Sequence, residues 1–139
     1  VNTPILVRID PRWPGAWDSI KDYLLEAWQK GSHEVWTMED VYGIAMQGGV
    51  VCWGVIQDNK VIGAALTGER IYPRKKILEI LLFAMDHNTE DEWLSLWEGF
   101  AAMARKAGFN GISGGGRPGW AKKLQHIGAK LKYNIEIDL

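Results

Sequence analysis

The stretch Ile77-Leu78-Glu79-Ile80-Leu81-Leu82-Phe83-Ala84-Met85 is the most apolar run in the chain, interrupted only by Glu79. A run of this kind reads as a strand buried on both faces, the central strand of a sheet. Just beyond it, Thr89 and Glu92 form a capping box that opens a helix. Trp93, Leu96, Trp97, Phe100, Met103, Ala104 and Ala107 fall on one stripe of that helix, and Gly108 closes it. A buried strand followed by a helix with a wide aromatic stripe places the chain in the α/β class.

Working outward, Asn110 to Ser113 reads as a short strand and Gly114-Gly115-Gly116 as a bend. Pro118 suits the first turn of a helix that runs to Ile127 and stops at Gly128. The alternation of Leu131, Tyr133, Ile135, Ile137 and Leu139 predicts a half-buried last strand. Upstream, Val50–Ile56 and Val61–Leu66 read as a hairpin turning at Asp58-Asn59. Glu69 to Lys76, with Pro73 and several basic residues, is expected to be a loop. Thr37 and Asp40 cap a short helix that Gly48-Gly49 ends. Trp17, Ile20, Leu24 and Trp28 line one face of a longer helix ending at Gly31. Ile5–Ile9 is a strand. A hairpin among helix-connected strands makes the sheet mixed.

A chain of 139 residues, 47% hydrophobic and 24% charged, is expected to be one soluble globular domain over 1–139. The formal net charge of -1 gives no general pull toward nucleic acid, so nucleic-acid binding is disfavoured. The basic loop Arg70, Arg74, Lys75, Lys76 reads as a solvated face. A single cysteine, Cys52, excludes an internal disulfide and suits a reducing compartment. No apolar stretch is long enough to span a membrane, and the opening residues lack the pattern of a signal peptide. His33, His87 and His126 are scattered, so no metal site is expected. Eight tryptophans stand against three phenylalanines. Trp13, Trp36 and Trp120 fall in turns or helix starts, where they are candidates to anchor a protein partner or a second copy.

The order of elements resembles the GNAT fold of acetyl-CoA-dependent N-acetyltransferases. The residues that carry the resemblance are Arg117-Pro118-Gly119-Trp120-Ala121-Lys122-Lys123-Leu124-Gln125-His126-Ile127-Gly128-Ala129. They match the proline and closing glycine of the family's Asn-Pro-x-Ala-x-x-x-Tyr-x-x-x-Gly-Phe pattern. The resemblance implies a pyrophosphate loop rich in glycine after the central strand. Here Asp86, Glu90, Asp91 and Glu92 stand in that region, where carboxylates stabilise a helix start and repel phosphate. The family's acid tyrosine aligns with Leu124, which has no proton to donate. His126 is the candidate substitute acid.

Glu79 is the candidate general base on the central strand, with burial expected to raise its pKa; Glu69 is a weaker one. Gly115, Gly116 and Arg117 are the candidate cofactor-binding residues, because glycine-rich turns before helices and arginine forks hold phosphates. The tail also resembles small GNAT-like proteins of short-tailed bacteriophages, which implies a bacterial cytoplasm or a virion as its place. The first expectation is therefore a GNAT-like protein with a degenerate acetyl-CoA site that acts through macromolecular binding. The alternative is a working acetyltransferase acting on an amine.

Overall fold

The structure is a computed structural model that describes residues 3–31, 35–86, 90–115, 122–132 and 135–139. Its elements run β1 (Ile5–Ile9), α1 (Ala16–Gly31), α2 (Met38–Gln47), β2 (Val51–Gln57), β3 (Lys60–Ile71), β4 (Lys76–Met85), α3 (Glu90–Lys106) and β5 (Gly111–Gly114). A 3-10 turn follows at Gln125–Ile127. The strands form one sheet in the order β1-β2-β3-β4-β5. The first four are antiparallel neighbours, and β5 lies parallel to β4, so the sheet is mixed.

The hairpin between β2 and β3 turns at Asp58 and Asn59, both with positive φ (51° and 63°), as a two-residue turn of matching twist requires. Thr37 caps α2 as its sequence predicts. Its hydroxyl accepts from the Asp40 N–H at 3.1 Å, and the Asp40 carboxylate accepts from the Thr37 N–H at 2.9 Å. The corresponding box at Thr89 lies outside the described residues.

Each face of the sheet carries its own core. On one, Ile20 and Leu24 of α1 and Val41 and Ala45 of α2 pack on Cys52, Ala64, Leu66 and Leu82. Trp17 and Trp28 flank this core, as the α1 stripe predicts. On the other, Phe100 and Ala104 of α3 pack on Ala65 and Leu78, flanked by Trp53, Phe83 and Met103. Thr67, buried on the α3 face, accepts a hydrogen bond from Trp53 Nε1 at 2.8 Å, so its hydroxyl is satisfied.

Several expectations are corrected. The middle strand is β3, whose run from Gly63 to Thr67 is wholly buried, while β4 lies next to the β5 edge. The expected loop from Glu69 to Lys76 shrinks to residues 72–75, because its charged residues pair across the strands. Lys76 meets Glu69 at 3.7 Å, and Arg70 forms an ion pair with Glu79. Ala107 follows the end of α3 and is exposed. The helix expected from Pro118 is described only from Lys122, and Gly128 ends its last turn at φ 90°. Among the described residues no strand forms beyond Gly114. Leu131, Ile135, Ile137 and Leu139 are exposed, because an alternating face is buried only where a neighbouring edge takes up its backbone.

Candidate functional site

β4 and β5 pair over a short distance, from Ile77↔Gly111 to Ile80↔Gly114. Immediately beyond, the β3–β4 register jumps: Thr67 pairs with Ile80 and Leu66 with Leu82, leaving Leu81 as an extra residue. Such a bulge bends its strand and takes backbone groups out of the ladder. It also puts Leu81 and Leu82 against the same core, that of α1 and α2. From Leu81 to Met85 the β5-facing edge of β4 has no described strand beside it. Beside this edge lies a groove of about 1100 Å³ bordered by β4, β5, Trp36, Ile44 of α2, Trp97 of α3, and Leu124.

Glu79 lines this groove. Its register partner Gly68 lies on the Leu66 side of β3, so Glu79 belongs to the α1/α2 face. Its side chain is 24% exposed and ion-paired with Arg70, whose own side chain is 53% exposed, so the carboxylate is only partly buried and has a cationic partner. Arg70 Nη1 donates to the Tyr72 hydroxyl at 3.4 Å. Tyr72 and then Glu79 hold the Arg70 pKa above its ordinary value. The sequence places Arg70 in a basic loop that reads as a solvated face, and its pairing with Glu79 appears only in the structure. Its signal was an arginine and a glutamate flanking a short proline-containing turn.

The structure does not bring His126 to Glu79 in this groove. The imidazole lies outside its lining, 3.2 Å from the Lys123 carbonyl and 3.4 Å from the Glu98 carboxylate. Leu124, at the position of the family's tyrosine, is buried and lines the groove. Gly115, directly after β5, also lines it. Gly116 and Arg117 lie outside the described residues.

Two carboxylates of the β4–α3 region are engaged by the chain itself. Asp86 accepts from the Tyr23 hydroxyl at 3.0 Å, and Glu92 accepts from Gln57 Nε2 at 3.1 Å. Burial first, then the Asp86 carboxylate, raises the Tyr23 pKa. These contacts tie the residue after β4 to α1 and the first turn of α3 to β2. Trp13 is 61% exposed, whereas Trp36 is half-buried and its carbonyl accepts from Trp28 Nε1; Trp120 is outside the described residues. No helix among the described residues is long and apolar enough to cross a membrane. Among them, too, no group of three or more His, Cys, Asp or Glu is arranged to hold a metal ion.

No protein-family model matches the chain, and no curated protein matches it. Solved structures match it in fold. A possible acetyltransferase from Clostridium difficile 630 is similar with a TM-score of 0.70 and 10% identity, covering 99% of this chain and 99% of that one. A ribosomal-protein-alanine N-acetyltransferase from Brucella melitensis biovar Abortus 2308 is similar with a TM-score of 0.67 and 12% identity, covering 98% of each chain. An aminoglycoside acetyltransferase from an uncultured soil metagenomic sample, in complex with sisomicin, has a TM-score of 0.67 and 11% identity, covering 99% of this chain and 97% of that one. The chain therefore has the GNAT-like α/β fold of acetyltransferases. Nothing in these comparisons links it to phage proteins. Identities this low speak for the fold alone.

Proposed function

We propose that the chain is an acetyl-CoA-dependent N-acetyltransferase. The observation that carries this reading is the groove along β4 beside the Leu81 bulge, past the end of its pairing with β5. Acetyl-CoA supplies a thioester at the end of an extended arm that contains two amides. The edge of β4 at Leu81 and Leu82, which line the groove and have no described strand beside them, is complementary to such an arm, as a strand edge is to an added peptide. Backbone N–H groups freed by the bulge are suited to stabilise negative charge developing on a carbonyl oxygen. Glu79, in the same groove, is the base that takes a proton from the amine. Leu124 has no proton to give, so no described side chain protonates the leaving thiolate from that position.

The fit is uneven along the cofactor. The groove suits the arm, but the acids at the start of α3 do not suit a pyrophosphate. Among the described lining residues, Lys75, Arg105, Lys130 and Lys132 supply positive charge instead.

A second reading draws on Leu124 and on those acids. In it the acetyl-CoA site is degenerate, and the chain binds a protein partner or a second copy in a bacterial cytoplasm or a virion. The exposed Trp13 suits such a contact. A calorimetric titration with acetyl-CoA separates the two. A micromolar Kd, about −8 kcal/mol, supports the enzyme reading, and no heat at about 1 mM supports the second. Release of free thiol in the presence of an amine then tests transfer itself.

A further inference from the structure

Glu79, the proposed base, is already held by a guanidinium. As long as Arg70 holds it, the carboxylate is committed to that partner. Arg70 is accessible from the groove, and its Nη1 is steadied by the Tyr72 hydroxyl. Lys75 lies on the same turn and also lines the groove. Trp36, Ile44 and Leu81 are part of the apolar lining of the same groove.

Among the described lining residues, five side chains are cationic and Glu79 is the lone carboxylate. A polyamine entering here meets an excess of like charge, with its one counter-ion already paired. An amine that carries its own carboxylate meets the reverse. Its carboxylate can replace Glu79 on the planar fork of Arg70, exchanging one charge-assisted pair for another of the same kind. No charge is left unpaired by the exchange, because the released Glu79 then faces the substrate's ammonium.

Resting on the acetyltransferase reading above, we propose that the acceptor is a small amino-carboxylate whose carboxylate takes Arg70 from Glu79 and so frees Glu79 to act as base. The ammonium gives one proton to Glu79, which passes it to solvent. The neutral nitrogen forms its bond to the thioester carbonyl carbon as the carbon–sulfur bond breaks. The bonding pair leaves with sulfur, and the second amine proton neutralises the thiolate. Arg70 is a binding residue in this scheme, and substrate arrival is what makes the base available.

The test uses the full chain with saturating acetyl-CoA. The probes are the twenty free L-amino acids and spermidine, each followed by calorimetry and by thermal shift. At least one amino acid is expected to bind about 10-fold or more tightly than spermidine. Arg70→Ala should weaken that amino acid by about 10-fold or more and leave acetyl-CoA affinity within about 2-fold. Arg70→Lys should restore part of the loss and serves as the control for a variant that fails to fold. Glu79→Gln removes both the competitor for Arg70 and the counter-ion of the ammonium, so binding of the amino acid should stay within about 10-fold while transfer falls by about 100-fold. The inference is overturned if spermidine binds as well as every amino acid, or if Arg70→Ala changes nothing. It is also overturned if acetyl-CoA binds and no amino acid does. If acetyl-CoA itself does not bind, the acetyltransferase reading fails first and takes this inference with it.

Discussion

Phe100→Ala removes the ring at the centre of the α3 face. Phe100 is 1% exposed, and its ring meets Trp97 at 6.1 Å, Trp53 at 6.3 Å and Phe83 at 6.3 Å between centroids. Truncating a buried phenylalanine costs about 3–5 kcal/mol, counting lost transfer energy and the cavity left behind. The two edge-on ring contacts, to Trp53 and Phe83, add about 0.5–1.5 kcal/mol per pair beyond burial, which holds this site to at least the middle of that range, near 4 kcal/mol. An unfolding entropy of about 2.1 cal/mol/K per residue comes to about 0.3 kcal/mol/K for this chain, so Tm should fall by about 14 °C.

The assay is urea denaturation followed by tryptophan fluorescence and by circular dichroism, with the m-value required to stay constant. Glu98→Gln, on the outer side of α3, serves as control and should stay within about 0.5 kcal/mol. A loss below about 1.5 kcal/mol for Phe100→Ala would refute the packing described for this face.

Gly63→Ala should destabilise by about 1–3 kcal/mol or more in the same assay. The added Cβ would stand 2.5 Å from Met85 Cβ and 2.8 Å from the Ala84 carbonyl oxygen, and the backbone there has no room to yield. Thr37→Ala should cost about 1 kcal/mol through loss of the cap on α2, and Thr37→Ser much less. Burial pushes the Cys52 thiol up to about 11 from its usual 9.0. It should therefore resist alkylation in the native state at neutral pH. The raised folded-state value means that the unfolded thiol ionises first. The stabilising contribution is whole below pH 9.0 and is lost as pH rises toward about 11, a decline that Cys52→Ala should reduce in urea titrations across that window.

Much of the frame is legible in local sequence because local chemistry decides it. Asp58-Asn59, Thr37 with Asp40, and the stripe from Leu96 to Ala104 each act within a few residues, and each appears where its pattern predicts. Register is a different matter. The slip that makes Leu81 an extra residue depends on how β3 meets β4, and no periodicity within β4 announces it. The pairing of Arg70 with Glu79 has the same origin, since the two meet only once the strands continue through residues that look like a charged loop. The carboxylate on β4 could therefore be named as a candidate from sequence, but its partner could not. The terminal alternation from Leu131 errs in the opposite direction, because a period of two describes what a segment can pair with and not whether an edge is at hand.

The order in which the strands lie beside one another is also their order along the chain. β2, β3 and β4 occupy the contiguous stretch from Val51 to Met85, joined by two short reversals. Closing such short loops costs little entropy, so this meander should be the earliest part of the sheet to form. β1 must wait for α1 and α2 to be spanned, and β5 for α3. Conservative truncations at Leu66 and Leu82 should accordingly slow refolding, whereas truncation at Ile112 should mainly quicken unfolding. The strand that borders the groove would then be in place before its parallel neighbour β5 docks, and the cleft would take its final shape only with that last pairing.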